Sequence, residues 1–470
     1  MQKKRFALLF IILTLILTNA FSQGMGAIFD EQYDSLPRRA ELSASSYEGL
    51  PSSYSLKQYA PLPGDQTDYG TCVAWAASYA ARTISESIAL NRLNQTETTQ
   101  NAFSVVYVYR NIRPDDPYGY YGAHIYSALD YMAETGTVKM LDVERTTSFP
   151  LVDLAYYRTA RNYPIAGYVT LFSYSDRQKP ALVTRVVKKS LSEGKPVIIG
   201  MNTPDSFIDA KDVWRPVEDP RYFYGGHAMC VVGYDDDRYG GAFEVLNSWG
   251  RKWGNGGYIW IPYDVFVAFV TEAYEIIENI ANYSDTLRFE GSIQVNIFNP
   301  DTAETTTAGV TLNQVGYYTT EEEITEGTEI SFSVGAGESA YVYCFTVLEV
   351  SGENNFYSPV LLFPQTGVSP LLNYTDAVIE LPGEGRTIDF DSSGTSYIIT
   401  LYSKYALDIN NIIRVFSSTQ GSINKRMVAA LGDFYTTELE YSETEAAFTV
   451  TPEDRRAITA LIVAIGEDND

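Results

Sequence analysis

The stretch Gln66–Ala80 reads "QTDYGTCVAWAASYA" and places Cys72 where an apolar, alanine-rich helix begins. Unpaired amides and the helix dipole at such a position favour a thiolate and lower the pKa of a cysteine. Gly70 allows close backbone approach. Gln66 can place a side-chain N–H beside the backbone N–H of Cys72, and such a pair of donors can bind an oxyanion. Cys72 is a nucleophile, a buried small hydrophobe or half of a disulfide, and all three interpretations are open at this point.

Residues 1–22 are typical of a secretory signal peptide. They combine a basic start, an apolar run from Phe6 to Leu17 and small residues at Ala20 and Ser22. The apolar run is too short to span a bilayer, and no later stretch is long and apolar enough to do so. We therefore expect a secreted, periplasmic or extracellular protein that does not span the membrane.

Composition limits the classes of partner and chemistry. The formal net charge of −25 argues against nucleic acid or anionic lipid as a partner, because both bind basic patches. With only three cysteines, Cys72, Cys230 and Cys344, at most one disulfide is expected and no disulfide framework. The two histidines, His124 and His227, are not joined by ligands at coordinating spacing, so no metal or other cofactor is expected.

The 470 residues are too many for one ordinary core, and their patterns divide the chain. After the signal peptide, residues 23–49 are polar and irregular, which indicates a leader or linker. In residues 50–280 helical patterns precede strand-like runs, which predicts an α+β domain. Residues 285–465 contain apolar β runs separated by Gly, Asp, Asn and Pro, which predicts a mostly β module.

The patterns also predict individual elements. Helices are expected over about 72–91, 125–134 and 179–192, and strands in "KPVIIGM", "HAMCVVGYD", "AFEVLNSW" and "GYIWIPY". In the second half, "AYVYCFTVLEV" at 340–350 is apolar at both alternating sets of positions, so both faces of that strand should be buried. Cys344 in its middle is expected to be a small core residue.

A base for the cysteine must come from one of the two histidines. His227 opens an apolar strand, and Asn247 on a neighbouring strand can accept its second ring N–H and fix the tautomer. Trp249 can cover that hydrogen bond against water. His124 lies near a helix start without an orienting Asn or Trp, and is expected to be a structural or cleft-wall residue. Cys230 should face away from His227, because strand residues alternate.

Taken together, the motifs resemble the papain-like cysteine peptidases. The likeness covers about residues 50–274, and "NSWGRKWGNGGY" is highly specific to that family. It implies a two-lobed fold, with a helical left lobe and a β-barrel-like right lobe, and a thiol endopeptidase activity. Cys72 would be the nucleophile and His227 the base and later acid. Asn247 would orient the imidazole, and Gln66 would donate to the oxyanion.

The resemblance also implies a cleft for protein or peptide substrates. "GYYGAHIYSAL" is similar to the stretch whose glycine backbone binds extended peptide, which falls on Gly122. We assign Gly226 and Trp249 to the same cleft as substrate-binding residues. Val73 departs from the tryptophan common in the family, and Thr71 from a serine or similar small residue. Neither change removes a proton-transfer group.

The family's long folded pro-region has no counterpart here. The 27 residues of 23–49 are too short to fold as an independent inhibitory domain, but long enough to lie along the cleft. Residues 285–465 resemble a bacterial domain of unknown function often appended to peptidases, which fits a bacterial origin. Two alternative functions are a retired peptidase scaffold acting in binding or adhesion, and thiol acyl transfer to an amine. Oligomeric state and substrate sequence preference stay open.

Overall fold

A computed structural model describes residues 24–143, 154–278, 289–350, 355–356, 359–390, 394–450 and 458–465. The predicted signal peptide lies outside the described residues. In the described part, one compact unit joins the chain up to Ser35 with the chain from Leu50 to Glu278. The other unit joins Leu36–Gly49 with the chain from Phe289 onward. The leader is therefore divided between the two units.

Helix α1 of the first unit starts at Cys72 and has three continuous parts. Cys72–Ala74 and Thr83–Ala89 are α-helical, and Trp75–Arg82 between them has the wider π geometry, which is frequent near functional sites. The other helices are α2 Gln95–Gln100, α3 Val105–Ile112, α4 Ile125–Glu134, α5 Leu154–Ala160, α6 Pro180–Ser192 and α7 Tyr263–Phe269. The three predicted helices correspond to α1, α4 and α6 and are confirmed. The four others were missed because they are short.

The first unit also contains an antiparallel sheet, whose strands alternate with some of the helices along the chain. Its strands are β1 Ser53–Ser55, β2 Gly167–Thr170, β3 Val197–Thr203, β4 Gly225–Asp235, β5 Ala242–Leu246, β6 Tyr258–Pro262 and β7 Val270–Ile277. Their order is β2-β7-β3-β4-β5-β6, with β1 also paired to β4. The four predicted strands are β3 to β6 and are confirmed. Because β4 lies between β3 and β5 and contacts helix α1, the strand of His227 meets the helix of Cys72.

In the residues that the structure describes, the second unit contains two β-sheets and two α-helices. Its strands are β8 Phe289–Asn299, β9 Glu304–Thr307, β10 Val310–Leu312, β11 Tyr318–Thr320, β12 Glu329–Ala336, β13 Ala340–Val350, β14 Asn355–Phe356, β15 Val360–Phe363, β16 Leu371–Leu372, β17 Ala377–Leu381, β18 Ile388–Asp389, β19 Thr395–Ser403, β20 Glu440–Tyr441, β21 Ala447–Val450 and β22 Ile458–Ile465. The helices are α8 Ile409–Ser418 and α9 Ile423–Leu431. One sheet has the order β10-β11-β22-β19-β13, with β14, β15 and β16 also on β13; the other has the order β17-β12-β8-β21-β20, with β18 on β12 and β9 on β8.

Strand β13 confirms the prediction that both of its faces are buried. Val342 and Cys344 belong to the core that also contains residues of the other sheet, such as Phe332. Tyr343 and Phe345 belong to a second core, which includes residues of α8 and α9. The α+β class of the first unit and the β-rich second unit are confirmed, with α8 and α9 as an unpredicted cover for one face of β13.

Within the described residues, no helix has the length and apolar character needed to cross a membrane. In the same part of the chain, no group of three His, Cys, Asp or Glu side chains is placed to hold a metal ion. Cys72, Cys230 and Cys344 are all buried, free thiols.

Candidate active site

Cys72 is fully buried at the first position of helix α1. Burial raises the pKa of its thiol to about 11, against the lowering effect of the backbone amides of Ala228 and Gly26. The expected lowering of this pKa at the helix start is therefore wrong for this state, because loss of solvent outweighs the amides. The Ala228 amide belongs to the residue directly after His227, and the Gly26 amide belongs to the leader.

The imidazole of His227 is held between an amide and an indole. Its Nε2 lies 2.7 Å from Oδ1 of Asn247. The Trp249 ring stacks on it, with centroids 4.6 Å apart and an angle of 26° between the planes. Burial lowers the pKa of His227 to about 4, although the hydrogen bond to Asn247 opposes this. Among the described residues, its Nδ1 is buried without a hydrogen-bond partner, so the neutral ring keeps one nitrogen available for a proton.

A serine fixes the orientation of the Gln66 amide. The Ser248 hydroxyl donates to Oε1 of Gln66 at 2.5 Å, and the Gln66 backbone N–H donates to the Ser248 carbonyl at 2.8 Å. Nε2 of Gln66 can then donate to the carbonyls of Tyr69 at 2.7 Å and of Gly24 at 3.0 Å. Sequence analysis did not single out Ser248, although it stands inside the "NSWG" motif.

The start of the leader lies across this site as an extended chain. The Ala27 amide donates to the Gly226 carbonyl at 3.0 Å on one side. On the other side, the Ala123 amide donates to the Gly26 carbonyl at 2.8 Å, and the Ile28 amide donates to the Ala123 carbonyl at 3.0 Å. Ala27 and Ala123 thus pair in the manner of parallel strands. The groove holds a polypeptide by its main chain.

Two glycines allow the leader to lie flat against the groove floor. A Cβ atom on Gly24 would come within 2.0 Å of the Tyr69 carbonyl oxygen, and one on Gly26 within 2.1 Å of the Gly70 carbonyl oxygen. Real Cβ atoms do not approach backbone oxygens so closely, so a side chain at either position would lift the leader. The Gly24 carbonyl is also 3.4 Å from Nε1 of Trp249.

Farther along the leader, Tyr33 anchors it to the first unit. The ring is 1% exposed. Its hydroxyl donates to the Phe172 carbonyl at 2.7 Å and accepts the Ala273 amide at 3.1 Å. The ring packs against those of Tyr174 and Tyr274, with centroids 5.2 Å and 5.4 Å away. Tyr33 is thus a buried, hydrogen-bonded aromatic residue that stabilises the leader on the first unit.

A family model described as "Papain family cysteine protease" matches residues 59–276, the part of the chain that carries this arrangement. This part of the chain is a papain-family cysteine peptidase domain. The prediction of a papain-like cysteine peptidase domain is confirmed at the level of the family.

Curated relatives match parts of the peptidase domain. Fruit bromelain of Ananas comosus is 28% identical over 156 residues, which is 30% of this chain and 37% of bromelain. A cysteine protease of Blomia tropicalis is 25% identical over 225 residues, 46% of this chain and 62% of that protein. An uncharacterized peptidase C1-like protein of Acanthamoeba polyphaga mimivirus is 38% identical over 82 residues, 16% of this chain and 25% of that protein. The chain thus spans between a quarter and less than two thirds of the length of these three relatives.

Among solved structures, xylellain, a cysteine protease from Xylella fastidiosa, is similar to this chain. The TM-score is 0.44 and the identity 23%, with 55% of this chain and 97% of that chain covered. A mite allergen structure that compares Blo t 1 and Der p 1 has a TM-score of 0.41 and 22% identity, with 55% and 80% covered.

The remaining predicted residues of the peptidase domain lie as follows. Among the described residues, Gly122 makes no hydrogen bond to the leader; the next residue, Ala123, makes the main-chain bonds to it. A Cβ atom on Gly122 would come within 2.7 Å of the Gly26 carbonyl oxygen. His124 stands at the N-cap of α4, with Nδ1 3.5 Å from Oδ2 of Asp30 in the leader. Cys230 is buried inside β4, as expected for a structural thiol.

Proposed function

We propose that the protein is a thiol endopeptidase that cleaves protein or peptide substrates, and that its own leader keeps it latent. The observation that carries this proposal is the extended leader main chain, which is hydrogen-bonded between Gly226 and Ala123 with its Gly26 amide facing Cys72. Hydrogen bonds to a main chain do not depend on side chains, so a groove that holds the leader fits the main chain of a substrate.

In the uncovered groove, the catalytic steps use four side chains. The thiol of Cys72 passes its proton to Nδ1 of His227, and the sulfur attacks the carbonyl carbon of the substrate. Nε2 of Gln66 and the Cys72 amide bind the resulting oxyanion. The C–N bond then breaks as His227 protonates the leaving amine, which yields a thioester that water hydrolyses with His227 as base. Asn247 holds the ring in one tautomer throughout.

The leader is suited to block the groove. The amide N–H groups of Ala228 and of the leader residue Gly26 both act on the Cys72 thiol, and the Gly26 carbonyl accepts the Ala123 amide. Burial of the two groups raises the pKa of Cys72 to about 11 and lowers the pKa of His227 to about 4. At neutral pH the thiol and imidazole are then both uncharged, which disfavours the thiolate that the attack requires.

The proposal is tested by cleavage profiling of a peptide library by mass spectrometry. The chain is cut after Ser35 so that residues 24–35 can leave, and its Cys72→Ala variant, cut in the same way, serves as the control. Internal cleavage by the first protein alone is expected. Equal cleavage by both would refute the thiol mechanism, whereas binding without cleavage would favour the retired scaffold. Amine adducts in place of free acids, when an amine is added, would favour acyl transfer.

Export through the segment 1–22 belongs to the same proposal. Removal of that segment after Ser22 would leave Gln23 as the first residue, directly before the leader residue Gly24 that contacts Gln66. N-terminal sequencing of the exported protein should therefore begin at Gln23. Retention of the protein in the cytoplasm with Met1 intact would contradict export.

A further inference from the structure

The second part of the leader, Leu36–Gly49, is built into the β-rich unit. Ala40 and Leu42 are 2% and 1% exposed, and both belong to the core that contains Phe332 and Ile379 of its sheets. Burial of apolar side chains among strands is the main favourable contribution to a core. The segment is therefore a structural part of the β-rich unit, and not a linker beside it.

Main-chain hydrogen bonds fix the same segment to the edge and loops of that unit. The Arg38 amide donates to the Gly367 carbonyl at 2.9 Å, and the Ser369 amide donates to the Arg38 carbonyl at 2.7 Å. Farther on, the Ser43 amide donates to the Val378 carbonyl at 2.8 Å. The segment is thus hydrogen-bonded to the β-rich unit both before Ala40, through Arg38, and after Leu42, through Ser43.

A buried arginine adds specificity to this contact. Arg39 is 5% exposed, and its guanidinium donates to the Tyr374 hydroxyl at 2.8 Å and to the Tyr47 hydroxyl at 3.0 Å. The guanidinium also lies 4.9 Å from the centre of the Tyr374 ring. Removal of such a side chain loses several hydrogen bonds and the packing of its stem at once.

The two parts of the leader meet at the bond between Ser35 and Leu36. Before it, residues 24–28 lie along the groove and Tyr33 anchors them to the peptidase domain. After it, residues 36–49 belong to the β-rich unit, which the chain beyond residue 278 connects to the peptidase domain. At the first junction, the exposed residues Ser35 and Pro37 flank the buried Leu36, and at the other end Glu48 and Gly49 are exposed.

We infer that the β-rich unit is the binding partner of residues 36–49, and that it retains the blocking residues 24–35 at the groove even when the chain is cut after Gly49. This inference rests on the proposed function. A cut after Gly49 leaves the blocking residues attached to a segment that the β-rich unit holds, at an effective concentration on the order of millimolar. A cut after Ser35 leaves them as a short peptide that diffuses away.

The experiment compares two full-length variants, each with a site for the same specific protease inserted after Ser35 or after Gly49. Hydrolysis of a fluorogenic peptide is measured at high dilution before and after the cut. The cut after Ser35 should raise the rate by at least about tenfold, whereas the cut after Gly49 should leave it within about twofold of the uncut protein, because the tethered inhibitor rebinds. Equal activation by both cuts would overturn the inference.

A matched pair of anchor variants is tested in the chain that is cut after Gly49. Arg39→Leu removes the buried guanidinium and should convert this cut into an activating one. Arg38→Leu changes the neighbouring residue but keeps the main-chain hydrogen bonds of Arg38 to Gly367 and Ser369. This variant should behave like the parent. Activation by neither variant, or by both alike, would contradict the role of Arg39.

A second readout separates this inference from the proposed function. After the cut at Gly49, size-exclusion chromatography with mass spectrometry should find the leader fragment co-eluting with the remainder of the chain. A fragment that elutes separately would overturn the inference, whatever the activity. If the fragment is retained but the chain cut after Ser35 hydrolyses no peptide, the anchoring stands and the proposed peptidase function fails.

Discussion

At the scale of single residues, the turn directly after strand β5 holds two of the groups that the chemistry needs. Asn247 Oδ1 lies 2.7 Å from the His227 ring and also accepts the Ser248 amide at 2.7 Å. The Ser248 hydroxyl holds the Gln66 amide. The four proposed catalytic residues stay a prediction, which the sequence allowed because each chemical role requires a particular side chain. Ser248 and Ala123 were not predictable, since a positioning hydroxyl and a main-chain contact leave no distinctive residue type in the sequence.

Ser248 is expected to act as a positioning residue for Gln66. In the chain cut after Ser35, Ser248→Ala should lower kcat about threefold to tenfold with little change in KM, because one hydrogen bond contributes about 1 kcal/mol. Steady-state kinetics measure both constants. Ser248→Thr keeps the hydroxyl and should restore most of the loss. A kcat of Ser248→Ala equal to that of the parent would show that the Gln66 amide needs no such support.

The buried imidazole should make the latent form sensitive to acid. The pKa of His227 is lowered from 6.5 to about 4. Between these values the unfolded chain binds a proton that the folded chain does not, so stability falls as the pH drops from about 6.5 towards 4. Urea unfolding of the full chain at pH 7 and pH 5 measures this loss, which should be smaller in His227→Gln. The same loss in both proteins would contradict a neutral, buried His227.

At the scale of elements, the helices and strands that were predicted are those whose apolar side chains recur with a clear period. Helix α4 was predicted at its observed bounds, and strand β13 at its own, because burial on one or both faces leaves a clear apolar period. Helices α8 and α9 were missed, since they cover a strand face in a region whose runs mostly indicate β structure. The course of residues 24–29 was not predictable, because main-chain bonds and glycines hold it and neither produces a periodic pattern.

A side chain at Gly26 should lift the leader from the groove. Gly26→Leu places a Cβ within 2.1 Å of the Gly70 carbonyl oxygen, and a backbone atom cannot rotate away as a flexible side chain can. The rate at which an epoxide-type inhibitor labels Cys72 in the full chain should rise about tenfold or more. Ile28→Ala, at a leader residue that is 39% exposed, is the control and should change little. Unchanged labelling of Gly26→Leu would argue that the leader does not restrict access to the thiol.

At the scale of the whole molecule, the chain forms two units with separate cores, and the leader contributes to both. Composition and length predicted more than one domain, because a chain this long exceeds one ordinary core. The division of the leader at Ser35 was not predictable from a polar, irregular segment. Its apolar residues in the core of the β-rich unit are Ala40 and Leu42, with Tyr47 packed against that core, too few to form a recognisable pattern.

The core of the β-rich unit should depend on the leader. Leu42→Ala is expected to destabilise that unit by about 2–4 kcal/mol, the usual cost of truncating a buried leucine. Calorimetry of the full chain should then show one unfolding transition shifted to lower temperature and the other unchanged. Val428→Ala, at a residue that is 56% exposed, is the control. A Leu42→Ala protein with both transitions unshifted would place Leu42 outside that core.

The most direct test of a latent thiol peptidase is the rate of peptide hydrolysis before and after the leader is cut after Ser35, in the parent chain and in Cys72→Ala. The parent should be nearly inactive when intact and active after the cut, and Cys72→Ala should be inactive in both states. Hydrolysis by the Cys72→Ala chain, or an intact parent as active as the cut one, would contradict the account.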